Sequence, residues 1–277
     1  MKVWISCDME GVAGIVDWDQ CRPGSAGYAL GCELLQAEVN AAIEGAIAGG
    51  ATEIVVNDSH SRMANLDPRK IAGGAKYLSG RHKPLYMMQG LDASFDAVFL
   101  VGYHGSISGA PSTMSHTYNP GVFAGIRVNG EYVGESGVNA LVMAHHGTPI
   151  ALVSGDRVTA EETAPFAPDA VNVITKESIT RAAALNLHPD ESCRLIHEGA
   201  ETAIRAVAAG AVRAPEITAP VTLGMEFQTA DMAEVATWAR DTERAGERSA
   251  QIVGDDLLEA YRSFVAVTYI TRQAGGR

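Results

Sequence analysis

The chain has 277 residues, 47% of them hydrophobic, enough to bury the core of one large α/β domain or of two smaller ones. Acidic residues outnumber basic ones by 33 to 21, a net charge of −12, with no lysine or arginine run anywhere. That balance excludes nucleic acid and anionic membrane surfaces as expected partners, because both need a cationic face.

The four cysteines, Cys7, Cys21, Cys32 and Cys193, form no CxxC pair, so reduced thiols are expected rather than a thiolate zinc site. No apolar run reaches the roughly 20 residues of a membrane span. Asp8 and Glu10 break the N-terminal apolar run before it can serve as a signal peptide. The expected location is the cytoplasm.

In chain order, Val3–Cys7 reads as a buried strand. Ala29–Gly49 follows as a helix, with apolar residues near helical spacing and a Gly49–Gly50 stop. Glu53–Asn57 and Asp96–Tyr103 are further buried strands, and such continuous apolar runs suit a parallel sheet covered on both faces. Asn129–Gly130 is a type I′ hairpin turn between Arg127–Val128 and Tyr132–Val133. Gly134–His146 is helical, with Gly147 as its stop. Pro149–Ser154 is a strand, Glu161–Pro165 a short helix, Val171–Thr175 a strand and Glu191–Ala209 a helix. Beyond the Pro215–Pro220 boundary come a strand (Val221–Met225), a helix (Met232–Arg240), a weak strand (Ala250–Val253), a helix (Asp255–Ser263) and a closing strand (Val265–Ile270). The tail after Thr271 is expected to fray. The alternation predicts an α/β fold: a mostly parallel central sheet flanked by helices, with a smaller C-terminal α/β extension or subdomain. Residues 1–214 are the expected catalytic domain and 215–277 the extension, either separate or part of the same domain.

Asp8 and Glu10 stand two apart at a strand end, so extended backbone puts both carboxylates on one face, roughly 6–7 Å apart at their bases. Two acids that close repel unless a cation lies between them; the alternative is a pair of solvated loop acids. Gly11 and Gly14 allow the chain to turn there. His60 and His104 end two other strands, and in parallel sheets ligands collect beyond the carboxyl ends of strands. Their convergence with Asp8 and Glu10 favours a metal. Mixed imidazole and carboxylate donors suit zinc, with manganese, cobalt or iron as alternatives. A carboxylate can bridge two metals, and Asp8, nearest the strand end, is the bridge candidate.

Glu135 opens a helix, where an acid ordinarily serves the helix dipole. His116 lies in a Gly/Pro-rich loop region from Gly105 to Gly125, open to a role as base, acid, nucleophile or surface residue. Phosphate-loop, dinucleotide, HExxH and GxSxG signatures are absent. His145–His146 reads as compensation of a helix C-terminus, and His197–Glu198 lacks a second histidine.

Ser6-Cys7-Asp8-Met9-Glu10-Gly11 resembles the Ser-x-Asp-x-Glu-Gly signature of the zinc-dependent D-aminopeptidases of the self-compartmentalising, dipeptide-transport-operon type. The resemblance continues in order through Val56–His60, Gly102–His104, Met114–His116, Val133–Glu135 and Thr175–Ile179, covering most of the first 185 residues. It implies two zinc ions bridged by Asp8, with Glu10 and His60 on one side and His104 and Glu135 on the other. It implies that His116 is the catalytic histidine, a nucleophile in the family, with general base kept open. It also implies a large ring-like homo-oligomer, a decamer, enclosing the sites.

The expected activity is hydrolysis of short peptides carrying an N-terminal D-amino acid. A related amidase acting on a modified amino-acid amide is one alternative; a non-catalytic binding module with a structural metal is another. Asp58 or Asp156 could hold a substrate amine, and Lys176 a substrate carboxylate or acyl oxygen, but each reads equally well as structural.

Overall fold

The structure, a computed structural model, describes residues 1–274. The first half runs β1 (Lys2–Cys7), α1 (Trp18–Cys21), α2 (Tyr28–Ala48), β2 (Glu53–Asp58), β3 (Lys76–Leu78), β4 (Ala97–Tyr103), β5 (Phe123–Val128), β6 (Glu131–Tyr132) and α3 (Glu135–His146). The second half runs β7 (Ile150–Asp156), α4 (Arg157–Thr163), β8 (Val171–Thr180), β9 (Ala183–Asn186), α5 (Pro189–Ala208), β10 (Val221–Phe227), α6 (Ala230–Ala236), β11 (Thr242–Gly246), β12 (Ser249–Gly254) and α7 (Leu257–Ala274).

The main sheet has the order β3-β2-β1-β4-β7-β8-β9 and is parallel except for β9, which returns antiparallel to β8. Strand order reverses at β1: β2 and β3 extend to one side, while β4 returns to the other. Such a switch point opens a crevice beyond the strand ends. Alternation along β1 and β4 divides the core in two. Val3, Ile5, Phe99 and Val101 face a cluster shared with α2 and α5, whereas Trp4, Val98, Leu100 and Tyr103 face one shared with α3 and α7. Burial of both faces explains why these strands read as unbroken apolar runs.

A second sheet, β11-β12-β10-β5-β6, is antiparallel throughout and joins strands from the middle and the end of the chain. Phe123 of β5 packs against Phe227 of β10 and Phe264 of α7, with ring centroids 5.5 and 5.6 Å apart. The hairpin turn matches the sequence: Asn129 and Gly130 have φ of 50° and 92°.

The C-terminal segment differs from expectation. Val265–Ile270 is not a strand but the middle of α7, continuous with the helix expected to end at Ser263. The run is rich in β-branched residues, yet Tyr261, Phe264, Val265, Thr268 and Thr271 are buried at spacings of three and four, the helical period. Packing of that face overrides local strand preference. Residues 272–274 extend the helix rather than fray, and 275–277 lie outside the described residues. The short helix expected at Glu161–Pro165 starts earlier, at Arg157, because the Asp156 carboxylate caps it by accepting from the Thr159 amide at 2.9 Å. Thr229 caps α6 likewise, and that helix ends at Ala236 rather than Arg240. Strand β8 runs on to Thr180 and forms a hairpin with β9 that the sequence did not mark.

The tips of β1 and β4 are pinned together. The amides of Asp8 and Gly11 donate to the carbonyls of Val101 and Gly102, each at 2.8 Å. Gly102 has φ +71°, and a Cβ there would lie 2.2 Å from the Asp8 carbonyl oxygen. Both the dihedral and the contact require glycine. Gly102→Ala is expected to destabilise the protein by at least ~2 kcal/mol. Urea unfolding measures this, and an unchanged midpoint would contradict the close approach.

Candidate metal centre

The six candidate residues reach one place from separate elements. Asp8 and Glu10 follow β1, His60 follows β2, His104 follows β4, and Glu135 is the first residue of α3. His116 comes from the long loop before β5. All six are buried; Glu10 has no exposed surface. Five of them, with His104 behind, border a cavity of about 300 Å³.

The histidine hydrogen bonds decide the electrostatics. His60 Nε2 lies 2.9 Å from the Cys21 carbonyl, His104 Nδ1 3.0 Å from that of Gly105, and His116 Nδ1 3.0 Å from that of Met114. A carbonyl only accepts, so each of these nitrogens carries a proton and donates it. In the neutral rings the other nitrogen is then a bare lone pair. Those lone pairs point at carboxylates. His60 Nδ1 is 3.0 Å from Asp8 Oδ1 and 3.1 Å from Glu10 Oε2. His104 Nε2 is 3.4 Å from Asp8 Oδ2 and 3.6 Å from Glu135 Oε1, and His116 Nε2 is 3.7 Å from the same Glu135 oxygen.

Acceptor therefore faces acceptor among buried atoms. Both Glu10 carboxylate oxygens and His104 Nε2 are buried with no hydrogen-bond partner. Only protons or a cation resolve such an arrangement. Without a cation, protons collect. Burial pulls the His104 imidazolium down, but Glu135 and Asp8 outweigh it and push the ring up to about 10. His60 is likewise raised, against burial, by Glu10 and Asp8. Burial pushes Glu135 up to about 8, and His104 opposes the shift. Burial also favours the neutral form of Asp8, yet its contacts with His104 and His60 hold it well below the usual carboxylate range. His116 goes the other way: burial and the neighbouring His104 charge bring it down to about 4. Its ring stacks on His104 at 4.2 Å and 14°, with Trp18 edge-on at 5.4 Å.

A divalent cation satisfies the same acceptors without protons, and mixed imidazole and carboxylate donors suit zinc. Ligand-type atoms gather within 4.8 Å of one another in overlapping groups: Asp8, Glu10 and His104; His104, His116 and Glu135; and Glu10, Cys21 and His60. The donor chemistry and the orphaned atoms both fit zinc.

The model of the M55 peptidase family, described as D-aminopeptidase, matches residues 1–266. The chain belongs to this family. It is 34% identical over 274 residues to a D-aminopeptidase of Bacillus subtilis (strain 168), covering 97% of each chain. Its fold matches the Zn-dependent D-aminopeptidase DppA of Bacillus subtilis, described as a self-compartmentalizing protease, with a TM-score of 0.93 and 32% identity over 99% of this chain and 98% of that one. Membership makes the chain a metal-dependent hydrolase rather than a binding module.

Against this family background, three residues weighed for substrate contact serve the scaffold instead. Lys176 is buried and donates to the carbonyls of Glu10 and Ile15 at 2.8 and 2.6 Å, fastening the loop that carries Glu10. Asp58 accepts from the Asn65 side chain at 2.7 Å and the Leu66 amide at 3.1 Å, shaping the turn after His60. Asp156 is the α4 cap. Conversely, Cys21 left no signal in the sequence. It enters the M55 site because α1 turns its thiol toward Glu10 and His60. Burial and the Glu10 charge push that thiol well above its usual range.

Glu10→Gln separates binding from folding. Measured metal-free, the variant is expected to be less stable than the parent by about 1–3 kcal/mol, since it removes the carboxylate that faces the protonated His60 ring at 3.1 Å. Thermal unfolding with and without zinc reads both effects. The parent gains about 2.7 kcal/mol at a zinc concentration 100 times its Kd, and the variant most of that less. Equal zinc stabilisation of both proteins would remove Glu10 from the ligand set.

Proposed function

We propose that this chain is a di-zinc aminopeptidase that releases the N-terminal D-amino acid of short peptides. The observation that carries the reading is the convergence of three imidazole lone pairs and three carboxylates on one cavity. Asp8 Oδ1 turns to His60 and Oδ2 to His104, so Asp8 is suited to bridge two ions. Glu10 and His60 would complete one side, and His104 and Glu135 the other. When bound, the zinc supplies Lewis-acid polarisation of the scissile carbonyl.

The chain's own residues do the rest. Backbone carbonyls fix the ring tautomers, as oriented partners behind ligand histidines ordinarily do. The Tyr118 amide donates to Glu135 Oε1 at 2.7 Å and holds that carboxylate toward the centre. His116 is kept neutral, with Nδ1–H tied to Met114 and Nε2 open to the cavity. That nitrogen can take a proton from an attacking water, or attack the carbonyl itself. Both roles need the neutral ring, and an acyl-enzyme burst distinguishes attack from proton transfer.

The reading includes a ring-like homo-oligomer, a decamer, located in the cytoplasm. Ile179, Leu185 and Trp238 are 67, 70 and 73% exposed, apolar surface suited to subunit contacts. No helix among the described residues is long and apolar enough to cross a membrane.

Chelation is expected to abolish turnover of D-alanyl dipeptides, and zinc to restore it; the L-alanyl counterparts turn over more slowly. His116→Ala should lower kcat about 10²–10⁴-fold while zinc content stays at the parent level. Steady-state kinetics with metal analysis checks both. Retention of parental kcat would take His116 out of the chemistry, and failure of metal-loaded protein to cleave any D-aminoacyl substrate would remove the peptidase assignment.

A further inference from the structure

The cavity has an acidic floor and a basic mouth. Asp8, Glu10 and Glu135 lie at the bottom, while Arg22, Arg81 and Arg272 border the same space from exposed positions. Among the described residues none of these three arginines forms an ion pair, although acids outnumber bases 33 to 21 in the chain. Elsewhere guanidiniums find carboxylates readily: Arg69, Arg157, Arg194 and Arg213 each close on one.

The three come from distant segments, before α2, after β3 and near the end of α7, so the fold brings like charges together. Arg22 lies over the Trp18 ring at 5.4 Å, and Trp18 packs edge-on to His116. Arg81 and Arg272 both act on the Tyr269 phenol, where their positive charges oppose the upward push of burial. Arg272 also opposes, through its charge, the upward push of burial on Tyr86, which lines the cavity. Grouped guanidiniums without a counter-charge repel one another unless an anion sits among them, and their planar forks match a carboxylate.

We propose that Arg22, Arg81 and Arg272 form a rim that binds the free C-terminal carboxylate of the peptide, making them specificity-determining residues. The inference rests on the aminopeptidase reading. With zinc bound, the metal charge would offset the carboxylates at the floor, so orientation comes from the reaction: the bond next to the free amine must lie at the metal centre, and the rest of the peptide points to the mouth. A dipeptide spans roughly 7 Å when extended, so a cavity of this size keeps its C-terminus near the mouth.

The test compares D-alanyl-D-alanine with D-alanyl-D-alaninamide on the zinc-loaded enzyme. The acid is expected to be preferred in kcat/KM by at least ~10-fold, mostly through KM. In Arg81→Gln/Arg272→Gln the ratio should fall toward one, and Arg81→Lys/Arg272→Lys should recover part of it. Arg248→Gln, an arginine outside this cavity, should leave it unchanged. Equal kcat/KM for acid and amide, or a ratio the double variant does not move, overturns the rim. Calorimetry with the reduced-bond analogue (CH2–NH in place of the amide), as acid and as carboxamide, keeps the two readings apart. Cleavage of neither substrate with tighter binding of the acid analogue removes the peptidase assignment and retains the rim; equal binding of the two analogues removes the rim.

Discussion

Six side chains bring acceptors face to face at the end of β1, and the site depends on the charge imbalance this creates. Asp8, Glu10 and Glu135 present oxygens to His60, His104 and His116, whose donor nitrogens are already committed to carbonyls. A buried carboxylate with no donor is unstable by several kcal/mol unless it is neutralised. Protons do this on His60, His104 and Glu135, and on the two histidines they block the lone pairs a metal would use. Metal and protons would then compete for one set of atoms, and metal binding would release protons. His116 alone keeps its lone pair in both cases, because burial and the His104 charge disfavour its imidazolium.

The scaffold is built to hold that imbalance in place. Backbone ladders pin β1 to β4 at their tips, and glycine at position 102 permits the approach. Lys176 then fastens the loop from behind. A buried ammonium is costly, and burial brings Lys176 down to about 8. It is retained because two carbonyls accept from it and the acids Glu38, Asp156 and Glu10 lie near enough to raise it again. Its charge also offsets part of the negative field of the acid cluster. The residue that sequence reasoning offered to the substrate instead fastens the loop that carries Glu10.

What the sequence disclosed follows from where each residue sits. Asp8, Glu10, His60 and His104 were legible because they end strands, and a parallel sheet sends all its strand ends to one edge. Glu135 was not legible from local pattern, since an acid at the first position of a helix serves the dipole anyway; the structure turns its carboxylate, held by the Tyr118 amide, toward His104 and His116. His116 sits in a loop with no periodicity, so only a family motif could single it out. Cys21 and the three rim arginines are placed by α1, by loops and by α7, which no short-range pattern links to the strand ends. The same limitation misread Val265–Ile270: β-branched residues favour strand locally, while the buried spacing that makes α7 a helix is visible only with its partners present.

Rim and floor together address a problem set by the chain's overall charge. A protein of net charge −12 repels anionic peptides at a distance, and enclosing many copies in one compartment would deepen that repulsion. A zwitterionic dipeptide feels little net force, because its own charges cancel. A zinc centre at the floor would take the bond next to the amine, and a basic mouth at the far side of a cavity of about 300 Å³ adds a second requirement, a carboxylate within one or two residues of that bond. Long chains fail that distance requirement and amidated ones fail the charge requirement. Selection for short, free-ended peptides then follows from the separation of the metal centre from the rim, without side-chain recognition.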